Sequence, residues 1–163
     1  MSQVKQEAGK QRLPGWVRVL YYSGLFLAFG VGVWHFFVPW LYEWFVYIPP
    51  YENLIVGIEW TNYFFSLLLA GLSLLLMLYG RQIFGSEEAE RPARRVLRIF
   101  YGFSVFVWLN RFLICFIRPW PLEPIAWAAY GQLLAAALIF LLQLVPLLAL
   151  LWQVRREQDG GRR

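Results

Sequence analysis

Only one cysteine, Cys115, and one histidine, His35, occur in this chain, and each scarcity excludes chemistry. A single thiol forms neither an internal disulfide nor a Cys-x-x-Cys pair, so a disulfide-generating quinone reductase is out, as is a Cys-x-x-Cys-His haem attachment. One histidine cannot hold a haem from both sides, and iron–sulfur ligation needs more thiolates than the chain has. One histidine and a nearby carboxylate form an incomplete set for a metal, so no metal site is expected. Charge is also scarce, at 15% of residues. In its place stand 60% hydrophobic and 20% aromatic residues, with a mean hydropathy of +0.50, far too apolar for an ordinary soluble domain.

A hydrocarbon core of roughly 30 Å takes about 20 helical residues, and four stretches meet that length: about 17–40, 54–79, 96–117 and 125–152. The expected fold is therefore all-α, a single integral membrane domain over 1–163 built as a four-helix bundle. Residues 1–15 and 154–163 are left as short polar tails, so catalytic machinery outside the membrane has to come from a partner. The first apolar run is longer than a signal-peptide core and lacks a small-residue cleavage site, so helix 1 is expected to stay as an anchor.

The net charge of +5 is distributed as topology rather than as a nucleic-acid footprint. Thirteen of the fifteen basic residues precede helix 1, separate helices 2 and 3, or follow helix 4, while Arg111 and Arg118 lie elsewhere. The positive-inside rule assigns that face and both termini to the cytoplasm. The multi-pass chain is expected in the plasma membrane, among lipids and other subunits or copies of itself, with no nucleic-acid partner.

Against this frame the polar residues inside the apolar runs are informative, because a charge in the bilayer is costly and usually functional. At 1.5 Å rise per residue, Glu59 lies about 9 Å below Asn53, Arg111 about 10 Å below Arg118, and Gln132 about 13 Å below Glu123. His35, Glu59, Asn62, Asn110, Arg111 and Gln132 thus share a level toward the outer face, with all four helices contributing. The inner half is expected to be almost purely apolar. Gly24, Gly30 and Gly32 lead up to His35 and suit close helix approach. Residues 40–53, rich in Trp and Tyr, are expected to lie at the outer interface as an aromatic belt or a lid.

Two readings of the polar level follow. In one, Glu59 pairs with Arg111 and the amides satisfy the remainder, a clamp that fixes helix pairing. In the other, His35 and Glu59 are catalytic, as acid and base, while Arg111, Asn110, Asn62 and Gln132 bind an anionic or carbonyl-bearing ligand. Imidazole suits proton transfer because it titrates near neutrality. The cofactor is unknown, and a quinone is compatible with the set.

The pattern Gly32-x-x-His35-Phe36-x-x-Pro39, followed by Ile48-Pro49, then Gly57-x-Glu59, with Asn110 deep in helix 3, resembles the DoxX-like membrane proteins over residues 24–115. Arg118-Pro119-Trp120-Pro121-Leu122-Glu123 is a distorted version of that family's Arg/Pro/Leu/Gln run. The resemblance implies a four-helix bundle of a bacterial inner membrane, acting as a small membrane subunit or anchor of an oxidoreductase-type complex, with a quinone link as one option. Related bundles include sterol-isomerase-like enzymes. The alternatives are a lipid- or isoprenoid-binding enzyme using His35 and Glu59, and a structural assembly subunit; whether the chain is itself an enzyme stays open.

Overall fold

Apolar runs of this length satisfy their backbone groups internally only as helices, and the computed structural model consists of helices and short connections. It describes residues 13–41, 52–85, 91–119 and 127–160. In chain order the elements are α1 (Gly15–His35), the single turn α2 (Val38–Leu41), α3 (Glu52–Leu78), the single turn α4 (Gly80–Ile83), α5 (Arg91–Ile117) and α6 (Trp127–Gly160). No strand occurs among the described residues. Most of the aromatic 40–53 segment, Glu123 and the ends of both tails lie outside the described residues.

Four segments are long and apolar enough to cross a membrane: Gly15–His35, Leu54–Leu78, Pro92–Ile117 and Trp127–Arg156, with mean hydropathies of 1.4, 1.8, 1.7 and 2.7. Their large apolar side chains point outward: Phe65, Leu68, Phe106 and Leu134 are all more than half exposed. A surface of that kind is stable against lipid, not water. The chain is a multi-pass membrane protein.

Helix ends depart from the apolar limits of the runs for identifiable reasons. Helix α1 stops at His35 rather than near residue 40, because Pro39 has no N–H to offer the His35 carbonyl. The chain tightens there through Phe36 N–H to Val33 O and Phe37 N–H to Trp34 O, at 3.1 and 3.0 Å, then restarts as α2 with Pro39 in its first turn. Helices α5 and α6 extend beyond the apolar runs, to Arg91 and Gly160. Lys, Arg, Glu and Gln are good helix formers, so a helix need not end where its apolar surface does.

Helix α1 is the centre of the packing, set extensively against both α3 and α6; α5 packs on α6, and α3 touches α5 only lightly. The buried stripe of α1 is Val17, Tyr21, Gly24, Leu25, Ala28 and Gly32, the three-and-four spacing of one helical face. Toward the Gly80 end, Tyr21, Leu25, Leu76, Ile83, Tyr101 and Leu150 form one core cluster. Toward the His35 end, Ala28, Trp108, Ala136 and Ile139 form another. Two of the four glycines in α1, Gly24 and Gly32, make close crossings. A Cβ on Gly32 would meet the Ala70 backbone nitrogen at 2.7 Å, and one on Gly24 would meet Gln143 Cγ at 2.9 Å, whereas Gly30 has nothing within 4 Å.

The half of the molecule nearer Gly80 is not as apolar as its sequence suggests. Tyr21 donates to Leu76 O at 2.7 Å, Tyr101 to Gln143 O at 2.8 Å, and Ser104 to Gln143 Oε1 at 2.9 Å. The Gln143 amide in turn donates to Gly24 O at 3.4 Å. Pro146, inside α6, removes an N–H from the backbone ladder at this level, and the tyrosine hydroxyl supplies a donor to the adjoining turn. This node ties α1, α5 and α6 together, with Gln143 fully buried.

Candidate functional site

At the other end of α1, the same proline effect begins a second node. With Pro39 unable to donate, the His35 carbonyl accepts a hydrogen bond from Asn62 Nδ2 at 2.6 Å, which links α1 to α3. Asn62 is itself held in register by Ser66, whose hydroxyl donates to the Asn62 carbonyl at 2.6 Å. The His35 ring then has a fixed place. Its Nδ1 lies 2.7 Å from Val31 O and its Nε2 lies 2.8 Å from Arg111 Nη2. A guanidinium has no acceptor, so Arg111 donates to Nε2, and Nδ1 carries the proton that it donates to Val31 O. The imidazole is thereby held as one neutral tautomer.

Arg111 also donates from Nη2 to Gln132 Oε1 at 3.4 Å, and its guanidinium lies 5.8 Å from the centroid of the Trp108 ring. The centre therefore joins α1, α5 and α6 through His35, Arg111 and Gln132. Both of Arg111's bonds use one nitrogen, and among the described residues Nη1 and Nε have no hydrogen-bond partner. Trp108 is fully buried, and its indole N–H likewise has no partner among the described residues.

Glu59 takes a different position from the one the clamp requires. Its side chain is exposed, and among the described residues no carboxylate pairs with Arg111. The expected Glu59–Arg111 pair is replaced by a guanidinium held between two neutral acceptors. Nor does Glu59 reach the His35 ring, both of whose nitrogens are engaged elsewhere. Instead it lines an open surface cavity of about 410 Å³ with Asn62 and a group of aromatic side chains from α2, α3 and the end of α1. Asn110 is also outside the centre, its amide turned back on Phe106 O of its own helix at 2.8 Å.

Of the six polar residues singled out, the structure brings His35, Arg111 and Gln132 together, supports them through Asn62, and leaves Glu59 and Asn110 apart. Trp108 is the participant that the sequence did not mark. Its spacing of three residues from Arg111 was the available signal, since such neighbours share a helix face. No group of three or more His, Cys, Asp or Glu side chains suited to a metal occurs among the described residues. Comparison with protein families, characterised proteins and solved structures finds no match to this chain.

Proposed function

We propose that this protein is a small DoxX-like membrane subunit, a four-helix bundle with both termini in the cytoplasm of a bacterial cell, serving an oxidoreductase-type assembly by holding a carbonyl-bearing, quinone-type head group at Arg111. The observation that carries the reading is the charge balance of the centre. An arginine inside a membrane-spanning helix is costly unless something offsets its charge, and here its partners are the neutral His35 Nε2 and Gln132 Oε1. A ligand oxygen with negative or partial negative character supplies the missing acceptor to Nη1 or Nε. Charge-assisted bonds to such an oxygen are the stronger kind, and they strengthen further if the head group gains negative charge on reduction.

In this reading His35 positions Arg111 rather than acting as an acid or base, because both of its ring nitrogens are already used. Asn62 supports His35 by holding its carbonyl. The acid–base pairing of His35 with Glu59 has no such geometric support. The position of Arg111 on α5, toward the end where α1 breaks, suits a head group entering from the nearby membrane interface.

The test is native mass spectrometry of the full chain, gently extracted from its own membrane, with solvent extraction of bound quinone run alongside. Wild type should carry a small ligand of defined mass, and Arg111→Gln should lose it while keeping its helical signal. A wild-type chain without any bound ligand, and with no saturable binding of added ubiquinone-1 that distinguishes it from Arg111→Gln, would refute the proposal.

A further inference from the structure

We infer that the cavity beside Glu59 is a binding site for an alkylammonium head group, separate from the Arg111 centre, with Asn62 bordering both. Its lining combines one carboxylate with the rings of Phe36, Trp40, Trp60, Tyr63 and Phe64. The rings are set edge to face, Phe36 with Tyr63 at 5.3 Å, Tyr63 with Phe64 at 5.8 Å and Trp60 with Phe64 at 6.4 Å. Trp60, Tyr63 and Phe64 are each more than half exposed, and the face of an aromatic ring attracts ammonium groups, Trp most strongly. Aromatic walls around a single negative charge are the chemistry that recognises a quaternary or primary ammonium, and they offer little to an anion.

Depth supports the same occupant. Glu59 stands seven residues from the midpoint of the Leu54–Leu78 span, about 10 Å along the helix axis, against roughly 15 Å for half the hydrocarbon thickness. Side chains lean toward the N-terminus of their helix, which carries the carboxylate toward the nearer interface. Trp40 and Trp60, 77% and 67% exposed, belong at that level too, where one edge of the indole is apolar and the other wet. Among the described residues nothing hydrogen-bonds or ion-pairs with Glu59. A membrane amphiphile carrying an ammonium provides the opposite charge from the lipid side while its chain covers the exposed aromatic surface.

The experiment titrates the full-length protein in neutral detergent with dodecyltrimethylammonium, using dodecyl maltoside as the uncharged control, and counts bound molecules by native mass spectrometry. In parallel, nanodiscs containing equal amounts of phosphatidylethanolamine and phosphatidylglycerol report which lipid stays with the protein. Wild type should bind one trimethylammonium amphiphile saturably. Glu59→Gln should weaken it about tenfold or more, Trp60→Leu should weaken it severalfold, and Trp60→Phe should retain most of it. Enrichment of phosphatidylethanolamine identifies the source as a lipid; saturable binding without enrichment identifies a free amphiphile, and both support the site. Equal binding by wild type and Glu59→Gln, with both folded by thermal unfolding, overturns it. So does zero-length carbodiimide cross-linking of Glu59 to a lysine of a copurifying protein, which would make the cavity a subunit contact.

Discussion

A methyl group added at Gly32 has nowhere to go without parting α1 from α3. It would lie 2.7 Å from the Ala70 nitrogen and 3.0 Å from Ala70 Cα, against 3.4 Å where ordinary contact begins. The atoms it meets are helical backbone, so no rotamer change relieves the overlap. Overpacking of this kind costs about 1–3 kcal/mol. The separation also strains the Asn62–His35 hydrogen bond one turn further along α1, a bond worth roughly 0.6–1.7 kcal/mol in a membrane. Ala gains about 0.8–1.0 kcal/mol over Gly in helix propensity, leaving Gly32→Ala net destabilised by about 0.6–3.9 kcal/mol when that bond is lost. Gly30→Ala, two residues earlier, meets nothing within 4 Å and should be neutral or stabilised by up to about 1 kcal/mol. Steric-trap unfolding of the full chain in one detergent measures both. If the two variants shift equally, or Gly32→Ala matches wild type, the inferred contact between α1 and α3 is wrong.

Gln143→Leu should destabilise the protein by about 1–2 kcal/mol, because it leaves the Ser104 hydroxyl without its acceptor and Gly24 O without its amide donor. Adding Ser104→Ala to Gln143→Leu should then cost less than Ser104→Ala alone, and strict additivity in the unfolding cycle would deny that the two side chains interact. Asn62→Leu removes the donor to the His35 carbonyl and should cost about 0.6–1.7 kcal/mol. It should also raise amide exchange at the end of α1, and unchanged exchange there would argue against this cap. Tyr101→Phe frees the Gln143 carbonyl and is expected to cost a similar amount in the same unfolding assay, with no effect on ligand retained at Arg111.

Much of the helical content was legible because it follows from a local quantity, the length of apolar sequence against the thickness of a bilayer. The same quantity misplaced helix ends, since propensity carries α6 to Gly160 and Pro39 stops α1 at His35. The shared depth of His35, Arg111 and Gln132 was also accessible, because rise per residue is constant along a helix. Their mutual bonding was not. Depth says nothing about rotation around each helix axis, and a few tens of degrees decide whether a side chain meets a neighbour or lipid. Glu59 and Asn62 show this on one helix: three residues apart in α3, one faces an open aromatic cavity and the other also reaches the carbonyl of His35.

By itself, then, the sequence determined a multi-pass helical chain with a polar level toward one end. These properties need only composition, run length and the cost of placing charge in hydrocarbon. Only the tertiary structure decided that Arg111 is answered by imidazole and amide rather than by Glu59, and that Gln143 gathers a second polar node deeper in the molecule. It also decided that Gly32, and not Gly30, is where two backbones meet. Each depends on helix rotation and on which surfaces press together, and those are settled by packing summed over many side chains at once.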